Sequence, residues 1–200
     1  LAAQKMHHRG PDDDGYWNNN HFALSFQRLS ILDLSSLGNQ PMISQCENYV
    51  LVYNGELYNH RDIRETLENK GYRFRSTGDS EVVLYALIEW GTDALSSFNG
   101  MFALGFINIR EKSLLIARDH VGMKPLYYCN LNGNFVFGSQ LDHVMHYFDP
   151  QYLNIDIDAL NMYMAIGYYF APNSVFKEIK QIEPGEWLKI NVNGKKETGM

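Results

Sequence analysis

The sequence predicts an α+β fold in which two antiparallel sheets lie face to face with helices outside. Three observations predict it. Apolar runs and helical stretches come in blocks, strands first, then two helices, then more strands and more helices, not in strict strand–helix alternation. Two pairs of apolar runs are separated by short polar segments, at residues 108–112 and 130–134, the spacing of hairpins. The chain also carries 13 Tyr and 11 Phe in 200 residues, an aromatic load that suits β structure and that two apposed sheets bury well.

Taken in order, residues 1–8 read as the end of a helix, closed by Lys, His and Arg, which suit a helix C-terminus. Residues 8–15 hold Pro11, two glycines and three consecutive acids, and read as a loop. Residues 21–27 alternate Phe22, Leu24 and Phe26 with polar residues, a strand pattern, and end in a strand-to-turn transition at 27–33. Residues 34–42 are a connection. The apolar run 49–53 is a buried strand that delivers its end into Asn54-Gly55, read as a tight turn.

Asn59 is placed to cap a helix, with Asp62 as a capping-box partner, Ile63 and Leu67 as its apolar stripe and Gly71 as its stop. A second helix starts at Asp79 or Ser80, turns Val83, Leu87 and Trp90 inward, and stops at Gly91. Thr92 caps a short helix to Phe98. The two hairpins follow, at 101–117 and 126–137, then helices at 140–148 and 156–166 and a last strand at 186–192. The tail 191–196 reads as a polar turn.

The totals exclude several classes. Seventeen basic against 23 acidic residues give a net charge of −6, without the clustered excess of Lys and Arg that nucleic acid requires. No apolar stretch is long enough to span a bilayer and no signal-peptide pattern is present. Two cysteines, Cys46 and Cys129, make no disulfide framework, so a cytoplasmic location is expected. A first residue other than Met, a helix already under way and a chain that stops after a polar turn read as an excerpt of a longer protein.

Three polar clusters stand at the ends of regular elements: Arg28 after the first strand, Asn54-Gly55-Glu56 after the second, and Gly78-Asp79 before a helix. Together they offer a cation, an anion and neutral hydrogen-bond donors. A small zwitterion needs that set: guanidinium for carboxylate, carboxylate for ammonium, amide N–H for a carbonyl. Singly, each has a plainer reading: a surface arginine, an Asn-Gly hairpin turn, a helix N-cap. His143 and His146, three apart on a helix, are read as a solvated face, since no third metal ligand lies near. His7-His8 are read the same way. No phosphate-binding glycine loop appears.

Five motifs stand in one order: Arg9-Gly10-Pro11-Asp12, Arg28-Leu29-Ser30-Ile31, Asn54-Gly55-Glu56, Gly78-Asp79-Ser80-Glu81, and Arg118-Asp119-His120-Val121-Gly122-Met123-Lys124-Pro125-Leu126-Tyr127. In these the chain resembles the N-terminal glutaminase domain of glutamine-hydrolysing asparagine synthetases, which are class II glutamine amidotransferases. The resemblance covers residues 1–188, with 189–200 as the start of a connection to a synthetase half. It implies the four-layer αββα sandwich of the N-terminal nucleophile hydrolases. It also implies hydrolysis of L-glutamine to glutamate and ammonia, the ammonia passing to a second active site.

In that family the nucleophile is a cysteine at the processed N-terminus, with its own α-amino group as base. Such a cysteine is not in this sequence, so the chain as it stands is expected to be inactive. Neither Cys46 nor Cys129 has surroundings that read as lowering a thiol pKa, and neither is expected to replace it.

The resemblance assigns the substrate-binding set Arg28, Leu29, Ile31, Leu32, Asn54, Gly55, Glu56, Gly78 and Asp79. Arg28 takes the α-carboxylate, Asp79 the α-ammonium, and Asn54 with Gly55 forms the oxyanion hole. Arg9 is given a structural role, and Arg118, Asp119 and Lys124 are read as a polar network bracing the core. No metal or cofactor is expected in this domain, whereas ATP and magnesium belong to the synthetase half. Expected partners are L-glutamine, that half, and a second copy in a homodimer. Two alternatives stand beside this reading: a related amidotransferase with a sugar or secondary-metabolite acceptor, and a non-catalytic glutamine-binding module.

Overall fold

The computed structural model describes residues 10–29 and 36–200. Its centre is a six-stranded antiparallel sheet. The two middle strands, β4 (Tyr49–Leu57) and β5 (Gly100–Asn108), are the longest and pair over their whole length. β5 continues into β6 (Ser113–Arg118) through the expected hairpin, and β10 (Trp187–Asn191) pairs with β6. β11 (Lys196–Gly199) closes one edge against β10, and β3 (Met42–Ile43) covers only the start of β4 at the other.

Nearly continuous apolar sequence makes β5 and β6 buried on both faces, as strands covered on two sides must be. One face of the sheet carries α1 (His60–Asn69) and α2 (Asp79–Trp90). Leu51, Tyr53, Leu57, Phe102 and Leu104 pack there against Leu67, Val83 and Leu87. The other face turns Val50, Val52, Ile107, Leu114 and Ile116 toward Leu24, Leu126 and Ile182. Opposite it lie a hairpin, β1 (Asp13–Asn18) with β2 (Ala23–Arg28), and a three-stranded sheet. That sheet comprises β7 (Tyr127–Leu131), flanked by β8 (Asn134–Gly138) and β9 (Ile179–Gln181). α4 (Leu141–Met145) packs outside it through Val144 on Cys129 and Ile179. The layers therefore run helix, sheet, sheet, helix, as expected. α3 (Ala94–Ser97) and α5 (Ile157–Ile166) complete the set.

The two β layers approach closely at Gly105. A Cβ there would fall 2.5 Å from Cζ of Phe137 and 3.1 Å from Cγ2 of Val52. Below the sheet, Arg118 donates to the carbonyls of Gly122, Lys124 and Ile182. Asp119 accepts from the backbone amides of Phe102, Val121, Met123 and Lys124. The expected bracing is present, but each charge is satisfied by backbone groups, not by a buried ion pair between the two.

Several local expectations are corrected. Residues 13–18, read as loop and unassigned sequence, are β1; pairing with β2 outweighs its run of acids. Asn54 and Gly55 lie inside β4, not in a turn beyond it, and neither has a positive φ. Asn59 does not cap α1 with its side chain; it ties instead to Ser97 O and Asn99 N. Thr92 sits in a 3-10 turn and Asp93 precedes α3 without a side-chain cap. β3, β9 and β11 were not anticipated, and the helix expected at 140–148 is regular only over five residues. Asp156 does cap α5, accepting from Ala159 N. Arg9, His7 and His8 lie outside the described residues.

Candidate active site

A cavity of about 510 Å³ lies between the two β layers and reaches the N-terminus of α2. Of the expected binding set, Arg28, Leu29, Asn54, Gly55, Glu56, Gly78 and Asp79 all line it. Ile31 and Leu32 lie outside the described residues. Residues far apart in sequence are thus brought to one space by the pairing of β4 and by the entry into α2.

The direction of each β4 amide follows from the ladder. In an antiparallel pair, alternate residues turn their N–H and C=O to opposite edges. Asn48 O accepts from Ile109 N and Asn99 O accepts from Tyr58 N, so even-numbered residues face β5. Tyr49 O accepts from Ser44 N, so odd-numbered residues face the β3 edge. β3 ends opposite Val50 and Leu51, which leaves the amides of Tyr53, Gly55 and Leu57 beyond its reach. Gln40 takes the first, accepting from Tyr53 N and donating to Tyr53 O at 2.9 Å, in place of a strand. Asp79 takes the third, accepting from Leu57 N at 2.8 Å. The Gly55 N–H lies between them on that edge and borders the cavity, with no hydrogen bond among the described residues.

Glycine at 55 is required by close approach, not by turn geometry. A Cβ would stand 2.3 Å from Met101 O and 2.7 Å from Cβ of Phe102. Asn54 shares a face with Val50 and Val52, whose side chains point between the layers. A carboxamide and a neighbouring backbone N–H therefore border one space, the pattern that stabilises a developing oxyanion.

Asp79 is buried at the first turn of α2, where negative charge is favourable. Its Oδ2 accepts from Leu57 N and, at 3.1 Å, from the Tyr53 hydroxyl. Oδ1 makes no hydrogen bond among the described residues. Burial and the adjacent Asp79 push the Tyr53 phenol far above its ordinary pKa, so it stays a donor. The loop before Asp79 is held from two sides. Glu81 accepts from the amides of Arg75 and Ser76 and from the Ser76 hydroxyl. Arg64, stacked over Phe74, donates to Ser76 O and Gly78 O.

Arg28 ends β2, is buried, and donates through Nη1 to Asn39 Oδ1. Asn39 Nδ2 in turn donates to Asp13 Oδ2 at 2.6 Å. The guanidinium is thereby oriented at the cavity wall. Both cysteines lie away from that wall. Burial pushes the Cys129 thiol up, as expected of a core residue. Cys46 departs from expectation: hydrogen bonds from Ser44 and Asn48 hold its exposed thiol below the usual range. His143 also departs, being buried and lining the cavity, not solvated; His146 is exposed. Gln40 and Tyr53 were missed as parts of the site. No sequence signal marks them, because their roles depend on which edge of β4 an amide faces.

The description of a glutamine amidotransferase domain matches residues 2–199 of this chain. The chain belongs to the glutamine amidotransferase domain family. Among this domain's relatives, asparagine synthetase (glutamine-hydrolysing) 1 of Bacillus subtilis is 38% identical over 191 residues, covering 96% of the chain and 30% of the relative. Asparagine synthetase 3 of the same organism is 34% identical over 189 residues, covering 93% and 30%. Asparagine synthetase 1 of Arabidopsis thaliana is 34% identical over 140 residues, covering 70% and 24%. The domain thus spans less than a third of these relatives.

Among solved structures, glutamine phosphoribosylpyrophosphate amidotransferase from Bacillus subtilis superposes with a TM-score of 0.60 at 22% identity, covering 88% of this chain and 34% of that one. That likeness shows the fold: the amidotransferase domain has the αββα architecture of the N-terminal nucleophile hydrolases.

Proposed function

We propose that this amidotransferase domain binds L-glutamine in the cavity and serves its hydrolysis to glutamate and ammonia. The observation that carries the reading is the arrangement along the free edge of β4. A Gly55 N–H and the Asn54 carboxamide border a cavity that Asp79 and Arg28 also line. Arg28 takes the α-carboxylate with its fork of donors, and Asp79 takes the α-ammonium.

A cysteine thiolate attacks the side-chain amide carbon, and the carbonyl electron pair moves to oxygen. The Gly55 N–H and the Asn54 amide receive that charge; losing one such donor typically costs about 3 kcal/mol of transition-state stabilisation. Collapse expels the amide nitrogen, which takes up a proton and leaves as ammonia, and a glutamyl thioester remains. Water then attacks the thioester, giving glutamate and regenerating the thiol. In this reading the nucleophile is a cysteine that the sequence does not contain, because neither Cys46 nor Cys129 lines the cavity.

The ammonia serves ATP-dependent synthesis of asparagine from aspartate in a separate synthetase body. The length and the names of the relatives support that assignment. We assign the apolar surface of α5, uncovered among the described residues, to contact with that body: Ile157, Met162, Tyr163, Met164 and Ile166 are all exposed there.

Calorimetry with L-glutamine tests the binding claim. The chain should bind it, and Arg28→Ala and Asp79→Ala should each weaken binding by at least ~100-fold, the loss of one charge-assisted contact in a desolvated site. Unchanged affinity in either variant removes that residue from the site. Ammonia release from glutamine by the 200-residue chain alone would refute the assignment of the nucleophile.

A further inference from the structure

We infer that Tyr53 is a positioning residue: its hydroxyl, together with the Leu57 amide, fixes the carboxylate plane of Asp79 so that Oδ1 alone meets the substrate ammonium. The inference rests on L-glutamine as the ligand of the cavity and goes beyond it by assigning how the acid is aimed.

Three observations carry it. First, both hydrogen bonds to Asp79 end on the same oxygen, Oδ2, at 3.1 Å from Tyr53 and 2.8 Å from Leu57. Rotation about the terminal carboxylate torsion is otherwise broad and two-fold. Two donors from one strand remove that freedom and leave the second oxygen for a ligand.

Second, the donor itself is held. Tyr53 is 3% exposed, and its N–H and C=O are both taken by the Gln40 amide. Its ring packs in the core between the sheet and α2, so the hydroxyl has little room to follow a swinging carboxylate. Third, Tyr53 and Leu57 flank Gly55 along the same edge. The group that receives the ammonium is thus anchored two residues either side of the amide proposed to receive the oxyanion. The spacing between the two ends of the substrate is set within a single stretch of β4.

A packing role alone also fits a buried tyrosine, so the test must separate the two. Calorimetry compares the wild-type chain with Tyr53→Phe, using L-glutamine and glutaramate, the same molecule without its α-amino group. Phenylalanine keeps the ring and removes only the donor. The variant should bind L-glutamine roughly 10-fold more weakly, the low end of what losing a hydrogen bond to a charged group costs, because the pairing of Asp79 with the ammonium itself remains, and bind glutaramate as the wild type does. Equal losses for both ligands would reduce Tyr53 to packing and overturn the inference. So would unchanged or tighter binding of L-glutamine. A wild-type chain that binds neither ligand would instead remove L-glutamine as the ligand, and the inference with it.

A structure of the wild-type chain with L-glutamine gives a second measurement that needs no variant. The ammonium on Oδ1 with the Tyr53 hydroxyl still on Oδ2 supports the assignment. An ammonium on Oδ2, or a displaced Tyr53 hydroxyl, overturns it.

Discussion

Two helices of this domain, α2 and α5, are about equally apolar, and neither has a polar face to turn outward. α2 is buried from Asp79 through Leu87 except at Ser80, pressed between the large sheet and α1. α5 is regular and capped at its start by Asp156, yet only Ala159 on it is buried. A helix apolar on all sides signals cover on all sides; α2 has that cover and α5 does not among the described residues. The difference separates two uses of the same composition. In α2 it anchors the helix whose first residue is Asp79, so core packing and the geometry of the cavity wall are one problem. In α5 it leaves a surface whose value lies outside this domain's own core.

The strongest way to sharpen this contrast is Leu84→Ala. Leu84 is 1% exposed in the middle of α2, and truncation there should cost about 2–5 kcal/mol in denaturant unfolding, from lost burial plus the cavity left behind. A loss below ~1 kcal/mol would mean that α2 is less constrained than its burial indicates.

A second effect falls on the tyrosines in and against α2. Burial first, and then Asp79, Glu89 or Glu81 respectively, raise the pKa values of Tyr53, Tyr72 and Tyr85, that of Tyr72 to about 12. Because folding raises these values, their contribution to stability is complete below the ordinary phenol pKa of about 10. It is lost as pH climbs through the folded values. Alkaline titration should therefore show tyrosinate absorbance from this group appearing together with loss of helical circular dichroism. Ionisation of all three at the ordinary phenol pKa, with the fold intact, would contradict their packing.

The smallest effect belongs to α5. Met164 is 76% exposed, so Met164→Asp should shift the stability of the 200-residue chain by no more than ~0.5 kcal/mol, as surface changes do. In a protein that carries the synthetase body the same change should be clearly destabilising. A neutral result there would remove α5 from that contact.

Much of the architecture was legible because pattern and pairing agree. The hairpins β5–β6 and β7–β8, the helices α1, α2 and α5, and the block order all follow from periodicity and punctuation. What escaped was β structure supported by partners, not by its own sequence. β1 is rich in acids, β3 has two residues, and β9 and β11 are short strands at sheet edges. Asn54-Gly55 was misplaced for a different reason. Asn-Gly is a strong turn signal, but here glycine answers the close approach of Met101 and Phe102 from a strand nearly fifty residues away. Arg28 and Asp79 could be found by motif, since their chemistry is local. Gln40 and Tyr53 could not, because their contacts are set by the parity of the β4 ladder.

The contact of Gly105 with Phe137 sets the local clearance between the layers at a point of the cavity wall that holds no reactive group. With no side chain at 105, the aromatic ring of one layer rests directly on the backbone of the other. An alanine there would meet the tip of the Phe137 ring at 2.5 Å, and the ring would have to turn or shift to admit the methyl group. The cavity wall near Asn54 thus includes a blank position two places beyond Ala103, the β5 partner of Asn54.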